Sequence, residues 1–215
     1  MTVQAKICGI NDAAAMQAAV AGKADFVGLV FYPPSPRNVT PEAAAMLAAL
    51  VPDGVVRVGL FVDADDALIA AAHRHARLDM AQLHGSEPPQ RCAEIRRHFG
   101  LQTMKAIKIA DAADIDAAAA YYDHVDWLMF DAKAPADMKG ALPGGNALAF
   151  EWALLAGRTF PRPWMLAGGL NPANVAEAAL ISGAPAVDVS SGVETAPGRK
   201  DPAKIAAFLD AVHAL

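Results

Sequence analysis

A chain of 215 residues, 54% hydrophobic and 19% charged, has the composition of a globular protein and the length of one domain, enough to bury a large core without staples. Its net charge of −5 and pI of about 5.6, with no block of lysine and arginine, exclude the counterion-displacing surface that non-specific nucleic-acid binding needs. Two cysteines, Cys8 and Cys92, make no disulfide framework and point to a reducing, cytoplasmic home; the N-terminus reads MTVQAKICGI, unlike a signal peptide, and no apolar run approaches the roughly 20 residues of a membrane helix.

Short runs rich in Val, Ile, Leu, Phe or Met alternate with Ala-rich stretches of helical spacing. Strands are predicted at 3–8, 26–30, 57–62, 80–84, 102–108, 127–131, 164–167 and 186–189, and helices at 11–21, 41–50, 65–75, 88–99, 112–121, 150–156, 173–182 and 202–213. Asn11 is placed to cap the first helix, and Thr40 followed by Pro41 to open the second. Pro172 and Pro202 mark two further starts, and Gly22, Gly100 and Gly183 mark ends. Alternating strands and helices call for a parallel sheet, and eight such units predict a closed (β/α)8 TIM barrel of the phosphate-binding type, spanning 1–215 as a single domain. The two longest intervals between strand starts put extra loop after strands 2 and 6. Those loops belong to the C-terminal face, where barrel active sites sit.

Reading the strand ends in order gives Cys8, Val30-Phe31, Asp63, His84, Lys108, Asp131, Ala167-Gly168-Gly169 and Ser190-Ser191-Gly192. Most are polar or glycine, in contrast to the apolar strand bodies. Gly168-Gly169 and Ser190-Ser191-Gly192 follow strands 7 and 8, where glycine lets the backbone approach a ligand and leaves N–H groups free to cradle phosphate; the alternative is a tight turn. Cys8, before Gly9 and a helix start, is either a buried core cysteine or a nucleophile or base; Cys92, on the fourth helix, reads as core. Asp131 ends an apolar run as a loop cap or as a general acid facing a thiol across the barrel mouth. Arg37 follows Pro33-Pro34-Ser35-Pro36, a stiff loop able to present a guanidinium fork to a carboxylate. His84 has no second ligand at metal spacing beside it, so no metal is expected.

These segments together resemble the phosphoribosylanthranilate isomerase family of tryptophan biosynthesis. The matching stretches, in order, are Lys6-Ile7-Cys8-Gly9, 28–37, 58–62, 82–85, 130–133, 166–172 and 187–194. The resemblance implies Cys8 as general base, Asp131 as general acid and Arg37 as holder of an anthranilate carboxylate. It implies phosphate at Gly168, Gly169, Ser190, Ser191 and Gly192, with Asp188 near the ribose; His84 is grouped with the substrate-binding residues. It implies an Amadori rearrangement of a small phosphorylated substrate, with no cofactor, no metal, no nucleic acid and no membrane, by a monomer or homodimer. One stretch departs from the family pattern: Gly144-Gly145-Asn146-Ala147 has alanine for the last glycine, and Phe150-Glu151-Trp152 has glutamate where the family has aspartate.

Other phosphate-binding barrels are the nearest alternatives. A metal-dependent epimerase wants several histidine and aspartate ligands at strand ends, and a synthase wants a catalytic lysine, for which Lys108 is the candidate. A non-catalytic barrel that only binds a phosphorylated ligand, and an isomerase with a second aminoaldose substrate, complete the set.

Overall fold

In a computed structural model, which describes residues 2–133, 144–145 and 149–215, eight parallel strands close into a barrel in sequence order. They are β1 (Gln4–Cys8), β2 (Phe26–Phe31), β3 (Val56–Phe61), β4 (Met80–Leu83), β5 (Gln102–Ile109), β6 (Trp127–Ala132), β7 (Trp164–Leu166) and β8 (Ala186–Val189). The connecting helices are α1 (Ala13–Ala21), α2 (Pro41–Ala48), α3 (Asp66–Ala76), α4 (Pro89–Phe99), α5 (Ala112–Asp116), α6 (Val175–Ser182) and α7 (Pro202–His213). The expected (β/α)8 barrel is thus present, with all eight strands near their predicted positions.

The twofold period of a strand sorts its side chains. On β1, Ala5 and Ile7 enter the apolar layer between strands and helices, so Lys6 and Cys8 point into the barrel. On β8, Val187 and Val189 go outward and Asp188 inward; on β6, Leu128 and Phe130 go outward and Met129 and Asp131 inward. The barrel interior is filled by Phe26, Val58, Met80, Met104, Met129 and Met165 with small alanines. Above this apolar plug, toward the C-terminal strand ends, the inward positions turn polar.

Several local expectations are corrected. Asp12, one residue after Asn11, caps α1 by accepting from Ala15 N at 2.8 Å; the Asn11 amide instead donates to Gly198 O at 2.9 Å. The stretch predicted as helix 150–156 forms only a 3₁₀ turn, Trp152–Leu155, and the helix predicted at 112–121 changes from α to 3₁₀ at Ala117. Pro172 does not open the seventh helix. Asn174 Oδ1 accepts from Asn171 N at 2.8 Å and Asn171 Oδ1 from Ala173 N at 2.9 Å, side-chain bonds that hold a turn and delay the helix to Val175. A two-stranded hairpin, β9 (Glu194–Ala196) and β10 (Arg199–Lys200), was not predicted.

Candidate active site

The inward polar positions open into one cleft of about 770 Å³, counting the space open to solvent. Cys8, Arg37, His84, Asp131, Gly168, Gly169, Asp188, Ser190 and Ser191 all line it. Gly192 does not; it lies one step behind, where a side chain would strike the Leu170 carbonyl, so only glycine lets the two phosphate-loop candidates nest together. Asp63 and Lys108 are also outside the cleft lining. Asp63 instead accepts from Ser86 N at 2.7 Å and ties two loops together.

Cys8 ends β1, is 3% exposed, and stands in register with Gly28 of β2. A Cβ at Gly28 would lie 2.9 Å from its sulfur, so glycine there makes room for the thiol. Burial pushes the Cys8 thiol above its ordinary range; Lys6 and Lys200 pull it back and Asp188 adds to the rise. Cys92 is fully buried on the inner face of α4, and burial pushes its thiol up to about 11, in keeping with the core reading.

Asp131 is buried at the top of β6. Its Oδ1 accepts from the backbone of Ala132 at 2.9 Å, and its Oδ2 lies 3.0 Å from His84 Nε2. His84 is itself held by Gln82, whose Nε2 donates to Nδ1 at 2.9 Å. A ring nitrogen that accepts leaves the proton on the other, so this network assigns the imidazole N–H to Nε2, directed at Asp131. Gly144 lies above this pair, with space for a Cβ only 2.8 Å from His84 Nε2 and 3.1 Å from Asp131 Oδ2. Ala147 lies outside the described residues, and Glu151 is exposed just before the 3₁₀ turn.

Arg37 is 5% exposed and engages Glu194 with two prongs, Nε to Oε1 at 2.7 Å and Nη2 to Oε2 at 2.8 Å. Lys200 reaches the same carboxylate at 2.9 Å and also donates to the Ser190 carbonyl at 2.8 Å. Burial alone would raise the Glu194 carboxyl, but the Arg37 hydrogen bond and the Lys200 charge hold it below the usual range. Burial pulls Lys200 below the ordinary lysine value despite Glu194. The unpredicted hairpin therefore joins the loop after β2 to the loop after β8.

Gly168 and Gly169 have φ of +88° and +64°, the left-handed region that side chains disfavour. A Cβ at Gly168 would also stand 2.7 Å from Ala132 N and 3.2 Å from Asp131 Oδ1. Asn174 fixes the turn by donating to Gly169 O at 3.0 Å. Sequence reasoning missed Lys6, Gln82, Glu194 and Lys200 as parts of the site. Lys6 and Gln82 were visible as polar residues inside apolar strands, two positions before Cys8 and His84. Glu194 and Lys200 carried no local signal. Among the described residues, no group of three or more His, Cys, Asp or Glu is placed to hold a metal, and no helix is long and apolar enough to cross a membrane.

Fold and cleft together define a (β/α)8-barrel enzyme with its polar groups gathered at the C-terminal strand ends. A family model described as N-(5′-phosphoribosyl)anthranilate isomerase matches residues 5–211. Relatives so named include one from Rhodospirillum centenum, 59% identical with all of both chains covered, and one from Paramagnetospirillum magneticum, 58% identical over 99% of this chain and 98% of the relative. The solved phosphoribosyl anthranilate isomerase of Thermotoga maritima is similar at a TM-score of 0.88 and 36% identity, covering 99% of this chain and 100% of that one. A solved isomerase in complex with reduced 1-(O-carboxyphenylamino)-1-deoxyribulose 5-phosphate is similar at a TM-score of 0.83 and 33% identity, covering 99% and 100%. The chain belongs to the N-(5′-phosphoribosyl)anthranilate isomerase family.

Proposed function

We propose that this enzyme converts N-(5′-phosphoribosyl)anthranilate to 1-(2-carboxyphenylamino)-1-deoxyribulose 5-phosphate in tryptophan biosynthesis, with Cys8 as general base and Asp131 as general acid. The observation that carries the reading is the meeting of Cys8 and Asp131, from β1 and β6, in one cleft with Arg37 and the loops after β7 and β8. The family membership and the product analogue held by a similar isomerase support it.

Asp131 protonates the ring oxygen of the aminoribose as the nitrogen lone pair forms the C1′ imine and the ring C–O bond breaks. The Cys8 thiolate then takes the C2′ proton. Its electron pair forms the C1′–C2′ double bond and neutralises the iminium, and the resulting enolamine tautomerises to the ketone. Each proton transfer contributes roughly 10²–10⁴-fold in rate when the group is well placed. Anchors at both ends of the substrate supply that placement.

The phosphate belongs at Gly168-Gly169 and Ser190-Ser191, which line the cleft, with Gly192 setting the loop's close packing. Glu194 occupies the Nε–Nη2 edge of Arg37, and the anthranilate carboxylate meets the remaining Nη1. Asp188 lies on the ribose side, near Cys8. His84, bonded to Asp131, orients the acid as well as lining the substrate's path. Lys108 is outside the cleft lining, which speaks against the lysine-dependent synthase alternative.

The test is turnover of freshly generated phosphoribosylanthranilate, followed by loss of its fluorescence, with and without a chelator. Chelator-insensitive turnover that Cys8→Ala abolishes supports the assignment. A folded protein that leaves the substrate unchanged would overturn it.

A further inference from the structure

Lys6 stands where the apolar interior of the barrel gives way to the cleft, and the reaction outlined above gives it no task. It is fully buried, and its Nζ donates to Asp188 Oδ1 at 2.8 Å, its register partner on β8. Two positions along the same strand, on the same inward face, stands Cys8. Both side chains converge on the space that a residue other than glycine would fill at position 28: a Cβ there would lie 2.9 Å from the Cys8 sulfur and 3.3 Å from the Lys6 nitrogen. Lys6 Nζ has three N–H donors. One goes to Asp188, and the ammonium and the thiol border the same space at position 28.

A buried ion pair is a poor way to stabilise a barrel, since apolar residues of similar volume do as well or better. Burial also disfavours a thiolate, so a buried cysteine asked to take a proton needs a cation beside it. Lys6 is the charged group that meets that need most directly. We propose that Lys6 is a positioning residue for the isomerisation: its ammonium, fixed by Asp188, stabilises the Cys8 thiolate and so keeps the base available. The proposal rests on Cys8 acting as the base.

The charged groups around the thiol have opposed effects. Lys6 from β1 and Lys200 from β10 favour the thiolate, and Asp188 from β8 disfavours it; β2 contributes only Gly28 at this level. The buried ammonium itself is pulled down by burial, but Asp188 and the Cys8 sulfur more than offset this and hold it above the ordinary lysine value. It therefore stays charged throughout the range in which a thiol titrates.

The experiment reads the thiol and not the reaction. The ultraviolet absorbance of the Cys8 thiolate is titrated in the wild type, Lys6→Met, Lys6→Arg and Asp188→Asn, each against the same protein carrying Cys8→Ala, whose subtraction removes Cys92 and the tyrosines. Lys6→Met is expected to move the midpoint up by at least about one pH unit, the scale of a close charge. Lys6→Arg, which keeps the cation, stays near the wild type, and Asp188→Asn moves it down. In Lys6→Met the low-pH limb of kcat moves with the midpoint while KM holds. An unchanged midpoint in Lys6→Met, or equal shifts in Lys6→Met and Lys6→Arg, overturns the proposal. If Lys6→Met does not fold, Lys6→Gln, which removes the charge but keeps a polar head for Asp188, carries the test by the same upward shift, and its absence is equally fatal. Normal turnover by Cys8→Ala would remove the base assignment alone, leaving the thiol titration to report separately on Lys6.

Discussion

Arg37 and Glu194 stand 157 positions apart in the chain and close a two-pronged ion pair over the cleft, at 2.7 and 2.8 Å. The pair fixes the guanidinium in a loop that has no strand or helix to hold it. Removing the carboxylate leaves Arg37 and Lys200 buried without their shared partner. Glu194→Ala is expected to cost about 3–5 kcal/mol of stability, the scale for breaking a buried pair by deleting one member. In the fraction that folds, KM is expected to rise more than kcat falls. Chemical denaturation and steady-state kinetics check both; a variant with wild-type KM would show that Arg37 is positioned without the hairpin.

The same pair predicts acid sensitivity. The Glu194 carboxyl titrates below the ordinary value of 4.5 in the folded chain, so the unfolded chain binds its proton first as pH falls. The stabilisation is complete above that unfolded value and is lost as pH drops through the folded one. Unfolding free energy measured from neutral pH downward is expected to fall more steeply in the wild type than in Glu194→Gln, which has no charge to lose. Parallel curves would assign the acid sensitivity to other carboxylates.

Activity has its own pH dependence, with the opposite cause. Burial first, and Asp188 after it, raise the Cys8 thiol, while Lys6 and Lys200 oppose the rise. A base must be ionised before it accepts a proton, so kcat/KM is expected to climb with pH through neutrality and to level off only above the usual thiol range, near pH 8.5. A profile flat from about pH 6 upward would mean that the titrating base is not a thiol of this kind.

The phosphate loop yields a third kind of test. At Gly168, φ is +88° and a Cβ would press on the backbone of Ala132 and on Asp131. Gly168→Ala is expected to lose about 1–3 kcal/mol of stability through backbone strain and to weaken inhibition by inorganic phosphate. Unaltered phosphate inhibition would place the phosphate elsewhere.

What the sequence reveals follows from the range of the forces involved. Strand periodicity is local, so the barrel, its order and the inward direction of Cys8, Asp131 and Asp188 are legible residue by residue. The glycine pairs are legible for the same reason, because positive φ is a property of one residue. Glu194 and Lys200 are not, since a three-residue strand paired to a two-residue one has no periodicity and its purpose is a contact with Arg37. Asn11 and Asp12 are equally good caps by composition; the hairpin decides between them by taking the Asn11 amide through Gly198 O. The helix predicted at 150–156 has apolar spacing but forms only a 3₁₀ turn.

Gln82 completes the chain that orients the acid, and its effect is separable from burial. It is fully buried on β4 and donates to His84 Nδ1, and also to the Met129 sulfur at 3.3 Å. Replacing it by leucine of similar volume frees Nδ1, and the imidazole is then as stable with its proton on Nδ1, facing away from Asp131. Gln82→Leu is expected to lower kcat by about 10–100-fold through misdirection of the acid, the scale of a small misplacement at a reacting centre. KM and the thiol titration stay near their wild-type values, because neither anchor nor base is touched. Gln82→Glu provides the contrast: a carboxylate accepts from Nδ1 and favours an imidazolium, whose charge beside Asp131 favours the ionised carboxylate, so the rate is not restored. Equal kcat in Gln82→Leu and the wild type, with substrate saturating, would show that His84 holds its orientation without Gln82.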